Sequence, residues 1–136
     1  MNLSRPTIVL ADDERLITTV VGLRLQQINA SVRHARDGYE ALRLVEEINP
    51  DLVILDIKMP RIDGLAVCKA LRTHPDVSTT PVVILTGRSD ARTLTAIANL
   101  GATYVCKSVD MWDRLQEVAR PIVETATRHY GLQLAD

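Results

Sequence analysis

Leu52-Val53-Ile54-Leu55 is a run of four apolar residues closed directly by a carboxylate, Asp56. A strand with one wet face alternates apolar and polar residues, so an unbroken run marks a strand covered on both faces. That demands helices on either side of a parallel sheet, and the rest of the chain supplies them. Ile8-Val9-Leu10-Ala11 stops at Asp12, and Pro81-Val82-Val83-Ile84-Leu85 stops at Thr86. Ser31 to Ala35 reads as a weaker edge strand with Val32 its best core residue, and Thr103 to Cys106 as the last strand.

Helical patterns fill the gaps. The first carries Leu16, Val20, Leu23 and Ile28 on one face. Asp37-Gly38 marks a turn before a helix over Tyr39 to Ile48, which Asn49-Pro50 closes because proline cannot continue it. Pro60 and Gly64 bracket a loop before a helix over Leu65 to Leu71. Ser89 or Asp90 can cap a helix running to about Asn99, which Gly101 ends. A last helix runs from Asp110 to about His129, and Pro121 is expected to bend or interrupt it near Val118 to Arg120. The order βαβαβαβαβα is that of an α/β doubly wound parallel sheet, and its connections must be right-handed. With 136 residues and no internal boundary, the expectation is a single domain, with a core at about 7–129 and a short C-terminal tail at 130–136.

In an open parallel sheet, ligands bind at the carboxyl ends of the strands. Asp12 and Asp13 follow the first strand, Asp56 ends the third, Thr86 ends the fourth and Lys107 follows the fifth. Any one of these could be a cap or a solvated charge; five on one sheet edge point to a site. Clustered carboxylates repel unless a cation shares the space, and Mg²⁺ takes hard oxygen ligands. Lys107 and Thr86 are groups that engage phosphoryl oxygens, and a carboxylate can be phosphorylated as a nucleophile.

Other chemistries find little support. The net charge of −1 makes no case for direct nucleic-acid or membrane binding, and no apolar run reaches the roughly 20 residues of a membrane helix. The N-terminus lacks the pattern of a signal peptide, so a cytoplasmic location is expected. Cys68 and Cys106 match no zinc or redox spacing and read as reduced, buried thiols; His34, His74 and His129 are scattered. A phosphohydrolase with an aspartate nucleophile wants D-x-D after its first strand, where this chain has Asp12-Asp13. A flavin module needs a hydroxyl- and glycine-rich phosphate loop, where this chain has Ala11-Asp12-Asp13-Glu14.

The motifs VLADDE (9–14), RDGYEAL (36–42), PDLVILDIKMPRIDG (50–64), PVVILTG (81–87) and GATYVCK (101–107) resemble the receiver domains of bacterial two-component response regulators, over about Thr7 to His129. The resemblance implies a flavodoxin-like (βα)5 fold with strand order 2-1-3-4-5. It implies phosphorylation of Asp56 by a histidine kinase or histidine phosphotransfer protein. It makes Mg²⁺ the cofactor, bound by Asp12, Asp13, Asp56 and the main-chain carbonyl of Lys58. Thr86 and Lys107 would engage the phosphoryl group, and Tyr104 would turn inward on activation, changing the surface of the fourth helix, fifth strand and fifth helix. Lys58 and Arg88 stand at the two positions that overlook the path of a hydrolysing water. A receiver is a switch rather than an enzyme, since it catalyses only its own phosphorylation and dephosphorylation; the alternative is a degenerate receiver acting as a constitutive interaction domain. The downstream partner is a protein or an output domain, and the receiver is a monomer or a phosphorylation-dependent homodimer.

Two positions depart from the family pattern. Ser108 stands where proline usually follows the lysine, and a trans bond is expected because cis costs about 2.5–4 kcal/mol before other residues. The segment from Gly101 to Lys107 is one residue short, which predicts a tighter turn before Tyr104.

Overall fold

A computed structural model describes residues 5–87 and 90–135, with 132–135 by their backbone. The elements run β1 (Thr7–Ala11), α1 (Arg15–Gln27), β2 (Ser31–Ala35), α2 (Gly38–Ile48), β3 (Leu52–Asp56), α3 (Gly64–Thr73), β4 (Val82–Thr86), α4 (Ala91–Asn99), β5 (Thr103–Cys106) and α5 (Met111–Ala135). All strand pairs are parallel and the order is β2-β1-β3-β4-β5, the flavodoxin-like arrangement. No helix among the described residues is long and apolar enough to cross a membrane.

Alternate residues of the central strands feed two cores. Val9, Ala11, Val53, Leu55 and Ile84 pack with α2, α3 and α4, through residues such as Leu44, Leu71 and Ile97. Ile8, Leu10, Ile54, Leu85 and Val105 pack with α1 and α5, through Val21, Leu25, Leu115 and Ala119. The unbroken apolar runs are thus two interleaved period-two patterns, one for each face of the sheet. The starts of α2, α3 and α4 follow side-chain caps. Asp37, Asp63 and Asp90 each accept a hydrogen bond from the backbone N–H three residues on. Ser89, the other candidate cap, lies outside the described residues, as does Asp136.

Three expectations need correction. On α1 the buried residues are Val21, Gly22 and Leu25, whereas Leu16 (74% exposed), Val20 (43%) and Leu23 (57%) face outward. Apolar residues at 16, 20 and 23 and at 17, 21 and 25 define two stripes offset by one residue, and the sheet takes the second. The last helix is not interrupted: it runs from Met111 to Ala135 with Pro121 inside. Leu115, Ala119 and Val123 hold it to the sheet on one side, while Pro121 is exposed on the other, where water can satisfy the carbonyl that proline leaves without a donor. His129 is therefore not a helix end. Cys68 is buried as expected, but Cys106 is only half-buried; both are free thiols.

Candidate functional site

Parallel strands all deliver their carboxyl ends to one edge, and the register aligns them closely. Asp56 lies beside Leu85 and Thr86 beside Cys106. The backbone N–H of Lys107 donates to the Thr86 carbonyl at 3.0 Å, so Lys107 leaves β5 at the level where β4 ends. Asp12, Asp56 and Thr86 are at most 4% exposed. Asp13, Glu14, Asp56, Lys58, Thr86, Gly87 and Lys107 line a pocket above them.

One ammonium serves three carboxylates here. Lys107 Nζ lies 2.9 Å from Asp12 Oδ2, 2.8 Å from Glu14 Oε1 and 3.0 Å from Asp56 Oδ2. Asp12 Oδ1 accepts the Glu14 backbone N–H at 2.8 Å, and Asp56 Oδ1 accepts that of Lys58 at 3.3 Å. Although close to Nζ, the buried Asp12 Oδ2 makes no hydrogen bond among the described residues. Burial, with the Asp56 charge added to it, pushes the Asp12 carboxyl up to about 6, against the pull of the Glu14 N–H and Lys107. Burial also works against the charge on Lys107, but its close contacts with the Glu14, Asp12 and Asp56 carboxylates outweigh this and raise its pKa. The two shifts differ in origin: burial raises Asp12, and the carboxylates around it raise Lys107.

These residues fit a divalent cation. Oxygens of Asp12, Asp13 and Asp56 lie within 4.8 Å of one another, and the buried Asp12 Oδ2 makes no hydrogen bond that a metal ion would have to displace. Carboxylate oxygens suit a hard ion such as Mg²⁺.

The loop after β3 is fixed from two sides. The Gly64 N–H donates to the Ile57 carbonyl at 2.9 Å, and a Cβ at Gly64 would stand 2.3 Å from the Asp56 carbonyl oxygen, so glycine is required by close approach. The Ile62 N–H donates to the Pro60 carbonyl across Arg61, whose φ of 73° is unusual for a residue with a side chain. The Arg61 guanidinium pairs with Asp37, the cap of α2, and lies 5.8 Å from the Tyr39 ring centre. The loop carrying Lys58 is thereby tied to the start of α2.

The structure brings Asp12, Asp13, Asp56, Lys58, Thr86 and Lys107 to one edge, with Tyr104 half-buried against the α2–α3–α4 core. Arg88 lies outside the described residues. The Lys107–Ser108 bond is trans, and Ser108 opens the turn that leads into α5, its carbonyl accepting the Met111 N–H at 3.0 Å. The turn before Tyr104 is tight: Gly101, at φ 65°, and Ala102 both donate back into the last turn of α4. Sequence reasoning passed over Glu14 as a site residue, and Arg61 as well. The one signal for Glu14 was its place as a third acidic residue directly after β1.

The response regulator receiver domain family matches residues 8–119. The chain is 37% identical over 108 residues to the probable transcriptional regulator ycf27 of Cyanophora paradoxa, covering 79% of this chain and 44% of that protein. It is 39% identical over 95 residues to the response regulator MprA of a Mycobacterium species, covering 70% of this chain and 40% of that protein. The chain thus spans about half the length, or less, of these relatives. Among solved structures, a putative response regulator from Chloroflexus aurantiacus superposes with a TM-score of 0.78 at 30% identity, over 88% of this chain and 98% of that one. The chemotaxis protein CheY4 of Vibrio cholerae gives 0.77 at 27% identity, over 85% and 98%. With this fold, this site and these relatives, the chain belongs to the receiver domains of response regulators.

Proposed function

We propose that the 136 residues form one receiver domain that accepts a phosphoryl group on Asp56 and works as a signalling switch. The observation that carries this is the placement of the Asp56 carboxylate, buried at the end of β3 and 3.0 Å from Lys107 in a set of three candidate metal-ligating carboxylates. The donor is a histidine kinase or a histidine phosphotransfer protein. An Asp56 oxygen attacks phosphorus, the bond from phosphorus to the donor imidazole nitrogen breaks, and that nitrogen keeps the electron pair and takes a proton from solvent. Lys107, already beside Asp56, neutralises a phosphoryl oxygen, and the Thr86 hydroxyl donates to another. Mg²⁺ held by Asp12, Asp13, Asp56 and the main-chain carbonyl of Lys58 would neutralise the carboxylates and the incoming phosphoryl charge.

The new group brings roughly −1.5 to −2 charges to the site, so the arrangement around it shifts. Thr86 moves toward the phosphoryl group and Tyr104 follows inward, changing the surface of α4, β5 and α5. That surface is read by a downstream protein or an output domain, in the cytoplasm, by the domain as a monomer or as a phosphorylation-dependent homodimer. Lys58 and Arg88 shield phosphorus from water and slow its release, Lys58 the more because it is nearer Asp56; decay of the phosphorylated protein should quicken in Lys58→Asn and Arg88→Ala.

The test is mass spectrometry after incubation with acetyl phosphate or phosphoramidate, with and without a chelator. The wild type should gain one phosphoryl group, and Asp56→Ala none. Labelling of Asp56→Ala would overturn the acceptor, labelling undiminished by chelator would overturn the cation, and an unlabelled wild type would favour a constitutive interaction domain.

A further inference from the structure

Glu14 is the one member of the lysine's carboxylate shell that the phosphorylation chemistry leaves without a task. An ammonium has three N–H groups to give, and three carboxylates stand 2.8 to 3.0 Å from Lys107 Nζ. Of these contacts the one to Glu14 is the aligned hydrogen bond, and a phosphoryl oxygen on Asp56 competes for the same ammonium. The Lys107 backbone cannot follow, because its N–H is bonded to the Thr86 carbonyl; the exchange happens at the end of the side chain. Releasing Asp12, whose side chain is 0% exposed, would strand a buried charge. Asp56, 5% exposed, is the residue that carries the phosphoryl group. The Glu14 side chain is 59% exposed, so water replaces the lysine at little cost.

We propose that Glu14 is a positioning residue that acts as a latch on Lys107, holding one of its N–H groups until a phosphoryl group on Asp56 takes it over. The proposal rests on Asp56 being the phosphoacceptor. Its consequence is that the unphosphorylated arrangement is favoured by the strength of the Glu14 contact, and phosphoryl binding is weakened by the same factor. Glu14 thus sets how far the switch leans toward its resting form, through Lys107 and without touching the phosphoryl group.

The experiment compares wild type, Glu14→Gln and Glu14→Asp; the aspartate keeps the charge but draws it back from Nζ by one methylene. Two quantities are read. The first, without any phosphoryl mimic, is the rate at which an acylating reagent modifies Lys107, followed by peptide mass spectrometry; it rises in both variants as the contact loses its charge in one and its reach in the other. The second is affinity for beryllofluoride in Mg²⁺ by calorimetry, which tightens about two- to five-fold in both variants, the scale of an exposed ion pair. Unchanged Lys107 acylation in both variants overturns the latch while leaving the phosphoacceptor reading intact. Tightening in Glu14→Gln alone overturns it too, since the charge and not the contact would then be responsible. A wild type that binds no beryllofluoride overturns the phosphoacceptor reading and the latch with it.

Discussion

Strand β3 carries a carboxylate at each end, and the two live in opposite circumstances. At its start, Asp51 is fully occupied: its Oδ2 accepts the Thr7 backbone N–H at 2.9 Å, and the Tyr130 hydroxyl lies 3.1 Å from both oxygens. Burial and the Asp51 charge raise the Tyr130 pKa, which keeps its hydroxyl a donor. This network joins β1, β3 and the far part of α5 at the amino edge of the sheet. At the other end Asp56 shares one ammonium with Asp12 and Glu14, and a buried oxygen of Asp12 goes without a hydrogen bond. The amino edge is settled and serves stability; the carboxyl edge is under-compensated and waits for charge to arrive. The contrast shows where this fold keeps its instability, at the edge where a ligand can relieve it.

The comparison can be broken at several points. The largest effect is expected from Gly64→Ala. Its Cβ would meet the Asp56 backbone rather than a yielding side chain, so the β3–α3 loop must move. A loss of about 3 kcal/mol in chemical denaturation should accompany weaker phosphodonor labelling. Next, Asp51→Ala removes the acceptor of both donors in the amino edge network and leaves the Thr7 N–H unsatisfied, for a loss of about 2 kcal/mol with labelling unchanged. Tyr130→Phe removes only its hydroxyl and should cost about 1 kcal/mol, again without effect on labelling. If either amino-edge variant impaired labelling as Gly64→Ala does, the two edges would not be separable.

Asp12 gives the pH dependence. Its folded pKa of about 6 stands above the ordinary aspartate value of 3.8, so between those values the folded protein binds the extra proton. Stability in chelator should therefore fall as pH rises from about 4 to 6 and level off above, by an amount on the order of 3 kcal/mol at most from this group. Denaturant titrations across that window would contradict the assignment if stability rose instead.

Much of the carboxyl edge was legible because its residues end apolar runs, and a run's end is visible without a third dimension. Asp12, Asp56, Thr86 and Lys107 all stand at such ends. Glu14 was not legible, because its role depends on a lysine 93 positions away reaching back across the sheet edge. Nor was the buried face of α1, since stripes starting at Leu16 and Ile17 are equally apolar and only the packing of Val21 and Leu25 on the sheet decides between them. Pro121 misled for a related reason. Its cost in a helix is a local rule, while the anchoring of Leu115, Ala119 and Val123 that overrides it is tertiary. The Tyr130–Asp51 contact joins residues 79 apart, which no local pattern marks.

The most direct test of the contrast is the thermal stability of Asp12→Asn and Asp51→Asn, each with and without Mg²⁺. Asp12→Asn removes an under-compensated buried charge, so in chelator its melting temperature should rise above that of the wild type, and Mg²⁺ should add little further. Asp51→Asn should melt lower than the wild type and keep the full stabilisation by Mg²⁺. Destabilisation of Asp12→Asn in chelator like that of Asp51→Asn, or stabilisation of it by Mg²⁺ as large as the wild type's, would contradict this contrast between the two edges.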